Sequence, residues 1–402
     1  MIDDSLRLGL GLAAFTVLAC HAIWYASRHS DRLIRSLAMT SFVGHAVISI
    51  AVWYLAPALI AGDAAVYDAQ ALGTDQARAG KEGFSIILGS LYRSIGHAPA
   101  AGLLLNALLM GLLVIVVART AGRLGDWRAA RVAALLALLL PPFVWWGSQL
   151  LREAPMWILI ALVADISVAI ALEGLSWRRG AWLLALFLAM LTIRAPVAAV
   201  VAVTLGIGLV LASAPRPGDH MRRVAMIGGA IALAIFLFPR FDALQSLEEK
   251  DSASIAYSRN YLATANTGFG EESALTTSGL IGQLPSALPL VMFGPLPWQL
   301  PYSGLVAVAD TLAWWFIVFW GIRGFPSLHR RFGRASLVLI VPAAALVGVL
   351  ALTLANFGIV IRMRAMIVVL LLPYAAAGLA VAAERKRGSV RSAQRARVSQ
   401  GA

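Results

Sequence analysis

AMTSFVGHAVISIAVWYLAPALI, residues 38–60, is followed one residue later by Gly62-Asp63-Ala64-Ala65-Val66-Tyr67-Asp68. The first stretch is long enough to cross a bilayer as a helix, since about 20 predominantly apolar residues span the hydrocarbon core. The second sets two carboxylates at the mouth of that span. Asp75, Arg78, Lys81, Glu82, Arg93 and His97 follow before the next apolar run begins near Ala100. In a chain that is otherwise lipid-soluble, this polar island is the first place to look for chemistry.

The rest of the chain supports that reading. Its 402 residues are 60% hydrophobic and 13% charged, with a mean hydropathy of +0.80. A soluble protein of this length cannot hide so much apolar surface, so lipid is its solvent. A net charge of +13 would suggest nucleic acid in a soluble protein, but in a membrane protein it reflects cationic cytoplasmic loops, and no nucleic-acid partner is expected. The one cysteine, Cys20, excludes intramolecular disulfides and any Cys-based zinc cluster. The acidic start, Met1-Ile2-Asp3-Asp4, is unlike the cationic opening of a secretory signal, so residues 8–26 read as a retained span.

Apolar runs near 8–27, 38–60, 100–118, 132–147, 154–173, 181–193, 196–213, 224–239, 303–322, 335–355 and 365–383 predict an all-α polytopic membrane protein. It would have about 11 transmembrane helices and short re-entrant or interfacial helices, because backbone groups facing lipid must be satisfied within their own segment. With the amino terminus outside and the carboxyl terminus cytoplasmic, the inner segments carry 22 of the 33 Lys and Arg, as the cation bias requires. Residues 1–383 form one membrane domain with large outer loops at 61–99 and 240–302. Residues 384–402 form a basic cytoplasmic tail suited to anionic membrane lipids.

Several side chains stand out on the outer side. Pro196 should end a helix at Leu191-Thr192-Ile193-Arg194-Ala195, leaving Arg194 between two short helices. There it faces an aqueous cavity or a partner, or else snorkels to the interface. Pro141-Pro142 should kink the fourth span before Phe143-Val144-Trp145-Trp146, an aromatic girdle for the outer interface. Arg152 and Glu153 either pair with each other at a helix start, or Arg152 faces the same outer cavity as Asp63 and Arg194. The Tyr257-Ser258-Arg259-Asn260-Tyr261 cluster offers the group types of sugar-binding surfaces. The proline-rich run at 284–301, with Trp298, suits an interfacial piece roofing the cavity. Arg362 and Arg364 lie outside against the cation bias, which makes them functional candidates. Asp165 and Asp310 fall within spans, where carboxylates mark substrate or ion paths or bond to neighbouring helices.

Guanidinium forks match phosphate oxygens and keep their charge at any pH, and a carboxylate beside them can take a proton from a hydroxyl. That combination suits a phosphate-linked lipid donor and a hydroxyl acceptor. The histidines show no HxxxH or HExxH spacing, and there is neither a Gly-rich phosphate loop nor a Gly-x-Ser-x-Gly elbow. No cofactor or metal is expected, although a carboxylate-bound Mg²⁺ near Asp63 stays compatible with the pattern.

The arrangement resembles the C-superfamily (GT-C) membrane glycosyltransferases, which use polyprenyl-phosphate-linked sugars. The resemblance rests on the Gly62-Asp63-Ala64 loop with Tyr67, Asn106 in the next span, the Ser148 to Glu153 turn and the outer Arg194. Residues 293–298 and 356–364 look like multispan proteins of bacterial exopolysaccharide and capsule clusters. It implies a bacterial inner-membrane enzyme with Asp63, or Asp68 in its stead, as base on a glycan or lipid acceptor. Arg152, Arg194, Arg362 and Arg364 would hold the donor phosphate, and Tyr67, Glu153, Arg259 and Trp298 would line the substrate. The chain departs from the pattern in lacking an adjacent acidic pair and a large carboxyl-terminal domain, and in having an extra span before the loop. A helix cap is the structural alternative for Asp63. A polysaccharide repeat-unit polymerase and a transporter or flippase are the rival functions.

Overall fold

The computed structural model describes residues 4–76, 82–212, 221, 252–263, 277–296 and 304–400. Among them every regular element is helical, as lipid demands of the backbone. The helices are α1 (Asp4–Ala26), α2 (Arg32–Leu55), α3 (Gly62–Leu72), α4 (Glu82–Ile95), α5 (Pro99–Leu124), α6 (Trp127–Leu139), α7 (Pro141–Gly147), α8 (Glu153–Glu173) and α9 (Trp177–Leu211). They continue with α10 (Ser252–Ala263), α11 (Thr277–Gly282), α12 (Leu284–Phe293), α13 (Gly304–Phe332), α14 (Ile340–Thr353) and α15 (Phe357–Gln400).

Local chemistry sets the boundaries. Asp31 caps α2 by accepting the Leu33 N–H at 3.0 Å, and that bond, followed by the one from Arg131, holds its carboxyl below the ordinary aspartate range. Asp126 caps α6 through the N–H groups of Arg128 and Ala129, each at 2.9 Å. Pro99 and Pro141 open α5 and α7, where a missing N–H costs nothing. Gly73 ends α3 with φ of 76°, a left-handed cap that a side chain would strain.

Among the described residues seven helices are long and apolar enough to cross a membrane: α1, α2, α5, α8, α9, α13 and α15. Helices α6 and α7, bent by 50° at Leu140, make an eighth if they are one span. The fold is thus all-α and multi-pass, with fewer spans among the described residues than the eleven expected. The differences have local causes. The two short helices expected around 181–213 are present, but they run on across the break at Arg194 and count as one span, Trp177–Leu211. The expected span at 335–355 is a 3₁₀ turn, Gly333–Leu337, followed by the 14-residue α14, too short to cross unaided. The span expected at 224–239 lies outside the described residues, as does Trp298.

Helices α5, α8 and α15 form the centre. The most apolar stretch of α8 and of α15 is 78% buried, whereas that of α1 is 11% buried and faces outward. Phe143 does not join an interfacial girdle. It is fully buried and packs edge-on against Trp157 of α8, with ring centroids 5.2 Å apart. Short helices α3 and α4 lie at the end of the bundle where α5, α8 and α15 begin. Ala71 of α3 backs onto Gly89 of α4, and Gly83 of α4 sits against Thr192 beside the break in α9. That contact brings Asp63's hairpin over the kink.

Candidate functional site

The site is assembled from the start of α3, the first turn of α8, the break in α9 and the start of α15. In α9, Arg194 leaves helical geometry, with φ −158° and ψ 78°. Pro196 lies two residues on and can neither donate an N–H nor tolerate a close carbonyl below it. The break frees the Ile193 carbonyl, and Arg152 Nη1 donates to it at 3.1 Å. A break at this depth persists only where protein groups satisfy its backbone.

Glu153 is the hub. It is fully buried in the first turn of α8, where the positive end of the helix dipole favours an anion. Its Oε1 faces Arg194 Nη2 at 3.4 Å and Arg362 Nε at 3.0 Å. Arg362 turns its Nη1 to Asp63 Oδ2, donating a hydrogen bond of 2.8 Å. The Arg152 guanidinium lies 5.9 Å from the centroid of the Tyr67 ring. Burial pushes the Tyr67 phenol above its ordinary value, and the charge of Arg152 pulls it partly back. Three nearly enclosed guanidiniums therefore face two carboxylates. The Asp63 side chain is 53% exposed, against 15% for Arg362 and none for Glu153, so Asp63 is the cluster's opening to the outside.

Two buried amides hold this geometry. Asn106 of α5 donates from Nδ2 to the carbonyls of Gln149 and Leu151, at 2.7 and 2.9 Å, pinning the turn that delivers Arg152 and Glu153. Gln149 then accepts the Ala61 N–H on Oε1 at 3.2 Å and donates from Nε2 to the Leu59 carbonyl at 3.4 Å. It ties the entry of α3, and with it Asp63, to the entry of α8. Sequence reasoning passed over Gln149. Its one signal is its place in the Ser148 to Glu153 turn.

The structure brings together Asp63, Tyr67, Arg152, Glu153, Arg194 and Arg362, and it engages Asp68 and Arg364 elsewhere. Asp63 accepts an arginine from α15, while the residue before α3, Ala61, makes no side-chain cap. Arg152 and Glu153, expected as a possible pair, are each engaged with other residues. Asp68 follows Asp63 by five residues, about 140° round the helix. It accepts the Tyr92 hydroxyl at 2.6 Å and contacts His97 Nε2 at 3.2 Å, so it locks α3 to α4 outside the cluster. Burial, and next the bond to Asp68, raise the Tyr92 phenol above its usual range.

Arg364 is the clearest correction. It lies two residues past Arg362, about 200° round α15, and is buried on the other side. There it donates to the carbonyls of Val291 (Nε, 2.8 Å), Leu290 and Gly294 at the end of α12, an arrangement that suits a helix carboxyl terminus. Trp314 adds a bond to the Met292 carbonyl at 2.7 Å. These contacts tie down the proline-rich segment expected to roof the site. Arg259 is buried on α10. Asp165 pairs with Arg119 at 2.9 Å and with Arg123 at 3.3 Å on α5, far down α8 from Glu153. Among the described residues no group of three or more His, Cys, Asp and Glu stands together as a metal cage would need.

No protein-family model matches the chain, and no curated protein sequence matches it significantly. Among solved structures it is similar in fold to the oligosaccharyltransferase AglB from the archaeon Archaeoglobus fulgidus, in complex with an inhibitory peptide and a dolichol-phosphate. The TM-score is 0.51 at 13% sequence identity, over 91% of this chain and 52% of AglB, so this chain spans about half the length of that enzyme. What the two share, on these figures, is the helical membrane fold.

Proposed function

We propose that this chain is an integral-membrane glycosyltransferase of the GT-C type. It moves a sugar from a polyprenyl-(di)phosphate donor to a glycan or lipid acceptor at the extracytoplasmic face of the bacterial inner membrane, in cell-surface polysaccharide biosynthesis. The observation that carries this reading is the convergence of Arg152, Arg194 and Arg362 around Glu153 and Asp63. Among the described residues three guanidiniums against two carboxylates leave one positive charge without a counterion, which favours an anionic ligand. The fold likeness to AglB, determined with a dolichol-phosphate, supports a lipid phosphate as that ligand.

On this reading the donor phosphate competes with Asp63 for Arg362. Its arrival frees the exposed Asp63 carboxylate to take the proton of the acceptor hydroxyl as that oxygen attacks the anomeric carbon. As the new glycosidic bond forms, the bond from the anomeric carbon to the phosphate oxygen breaks, and the lipid phosphate leaves with that electron pair, its charge stabilised by the guanidiniums. Glu153 positions Arg194 and Arg362, and Tyr67 lines the acceptor side. The engagement of Asp165 by Arg119 and Arg123 favours transfer over transport, because that intramembrane acid is already paired.

The test is purified protein in proteoliposomes, given a panel of polyprenyl-phosphate and polyprenyl-diphosphate sugars with an acceptor pool. Loss of the lipid-linked sugar with a new glycosidic product supports the proposal. Movement of lipid-linked sugar across the bilayer without any new bond would overturn it.

A further inference from the structure

At the far end of the bundle, α13 and α15 touch backbone to backbone. A methyl group added at Gly324 would overlap the Tyr374 carbonyl oxygen, and one at Gly378 the Trp320 carbonyl oxygen. Small residues permit such close crossings in membranes. Just past the crossing α13 contains Pro326, and a cavity of about 950 Å³ opens between the two helices. Trp320 and Ala382 contribute to its apolar walls, and Arg323, Arg330, Arg331 and Arg385 line it.

Among the described residues no carboxylate lines this cavity. Among the described residues none of its four arginines has an acidic partner. Glu384, the neighbour of Arg385, is taken by Arg128. Arg331 Nη1 donates to the Gly125 carbonyl at 2.8 Å, and the Arg323 guanidinium lies 4.6 Å from the Phe319 ring centroid. The helix dipole of α13 accounts for one or two cations in its last turn. It does not account for Arg323 a turn or more earlier or for Arg385 on the other helix. The apolar wall runs on to exposed Ile322 and Phe319, so the cavity is open to the surface that meets lipid.

Ala382 follows Arg362 by 20 residues on α15, about 30 Å along a helix at about 1.5 Å per residue. That is about the hydrocarbon thickness of a bilayer. We propose that this cavity binds the phosphate headgroup of an anionic membrane phospholipid, on the membrane face opposite the Arg152–Arg194–Arg362 site. Guanidinium forks fit the phosphate. The apolar walls, continuous with the lipid-facing surface, fit a phosphate that arrives on an acyl-bearing glycerol better than one arriving from solution. The inference is independent of the transferase reading.

Native mass spectrometry of the full chain in detergent tests it. The probes are phosphatidylglycerol, phosphatidylcholine and inorganic phosphate, each added alone. Phosphatidylglycerol should be retained selectively. Each arginine near an anionic lipid surface contributes about fivefold, so the double variant R323Q/R330Q should weaken retention by about 25-fold. Filling the cavity with A382F, which leaves the charge unchanged, should weaken it too. The pair R178Q/R334Q removes two exposed arginines outside the cavity and should leave retention unchanged. Equal loss in that pair, equal retention of the two lipids, or inorganic phosphate bound as tightly as phosphatidylglycerol would each overturn the proposal.

Discussion

Arg362 joins Asp63 and Glu153: its Nη1 lies 2.8 Å from Asp63 Oδ2, and its Nε 3.0 Å from Glu153 Oε1. One guanidinium thus connects an exposed carboxylate on a short surface helix to a buried one at the start of a membrane helix. The two acids play different parts. Asp63 can exchange its partner with an incoming anion, whereas Glu153 cannot leave its place without stranding Arg194.

Asp63→Asn keeps an acceptor for Arg362 but loses proton affinity. Turnover in the proteoliposome assay should fall by about 10²–10⁴-fold, the usual cost of a lost general base, with thermal stability unchanged. Wild-type turnover would remove Asp63 from the chemistry.

Glu153→Gln removes the anion that holds two buried guanidiniums. Breaking a buried ion pair from one side costs about 3–5 kcal/mol, so the melting temperature should fall clearly. A double-mutant cycle with Arg362→Met should return a coupling of about 1–3 kcal/mol. Additive single effects would show that the pair is not coupled.

Asn106→Ala strips the bonds to the Gln149 and Leu151 carbonyls. Unsatisfied buried carbonyls cost about 1–3 kcal/mol each, so unfolding should be easier. KM for the lipid donor should rise more than kcat falls, because Arg152 and Glu153 are displaced and Asp63 keeps its chemistry. An unchanged KM would argue that the turn is rigid without Asn106.

Asp68→Asn should lower turnover far less than Asp63→Asn, since Asp68 serves the α3–α4 lock. The Tyr92 phenol is raised in the folded state by burial and by Asp68. Its contribution to stability is therefore complete below the ordinary tyrosine value of about 10 and is lost as pH rises beyond it. Thermal melts from about pH 9 to about pH 11 should decline more steeply in the wild type than in Tyr92→Phe. Parallel curves would sink this account of Tyr92.

The sequence alone determined the solvent of this protein and much of its polar geography. Apolar run lengths gave the membrane helices, Pro196 marked the break that leaves Arg194 out of helical geometry, and the Asp63 island was visible as charge amid hydrocarbon. It could not separate Arg362 from Arg364. Both read as unexplained cations, and only the rotation of α15 decided that one meets Asp63 while the other seals the end of α12. It could not pair Glu153 with Arg194 or reveal that Gln149 braces two helix entries, because those bonds link positions 41 and 88 residues apart. Composition fixes where a chain can reside, since hydration acts on each residue separately. Which buried charges meet depends on helix rotation and packing, which helices apolar on every side do not encode in their own periodicity.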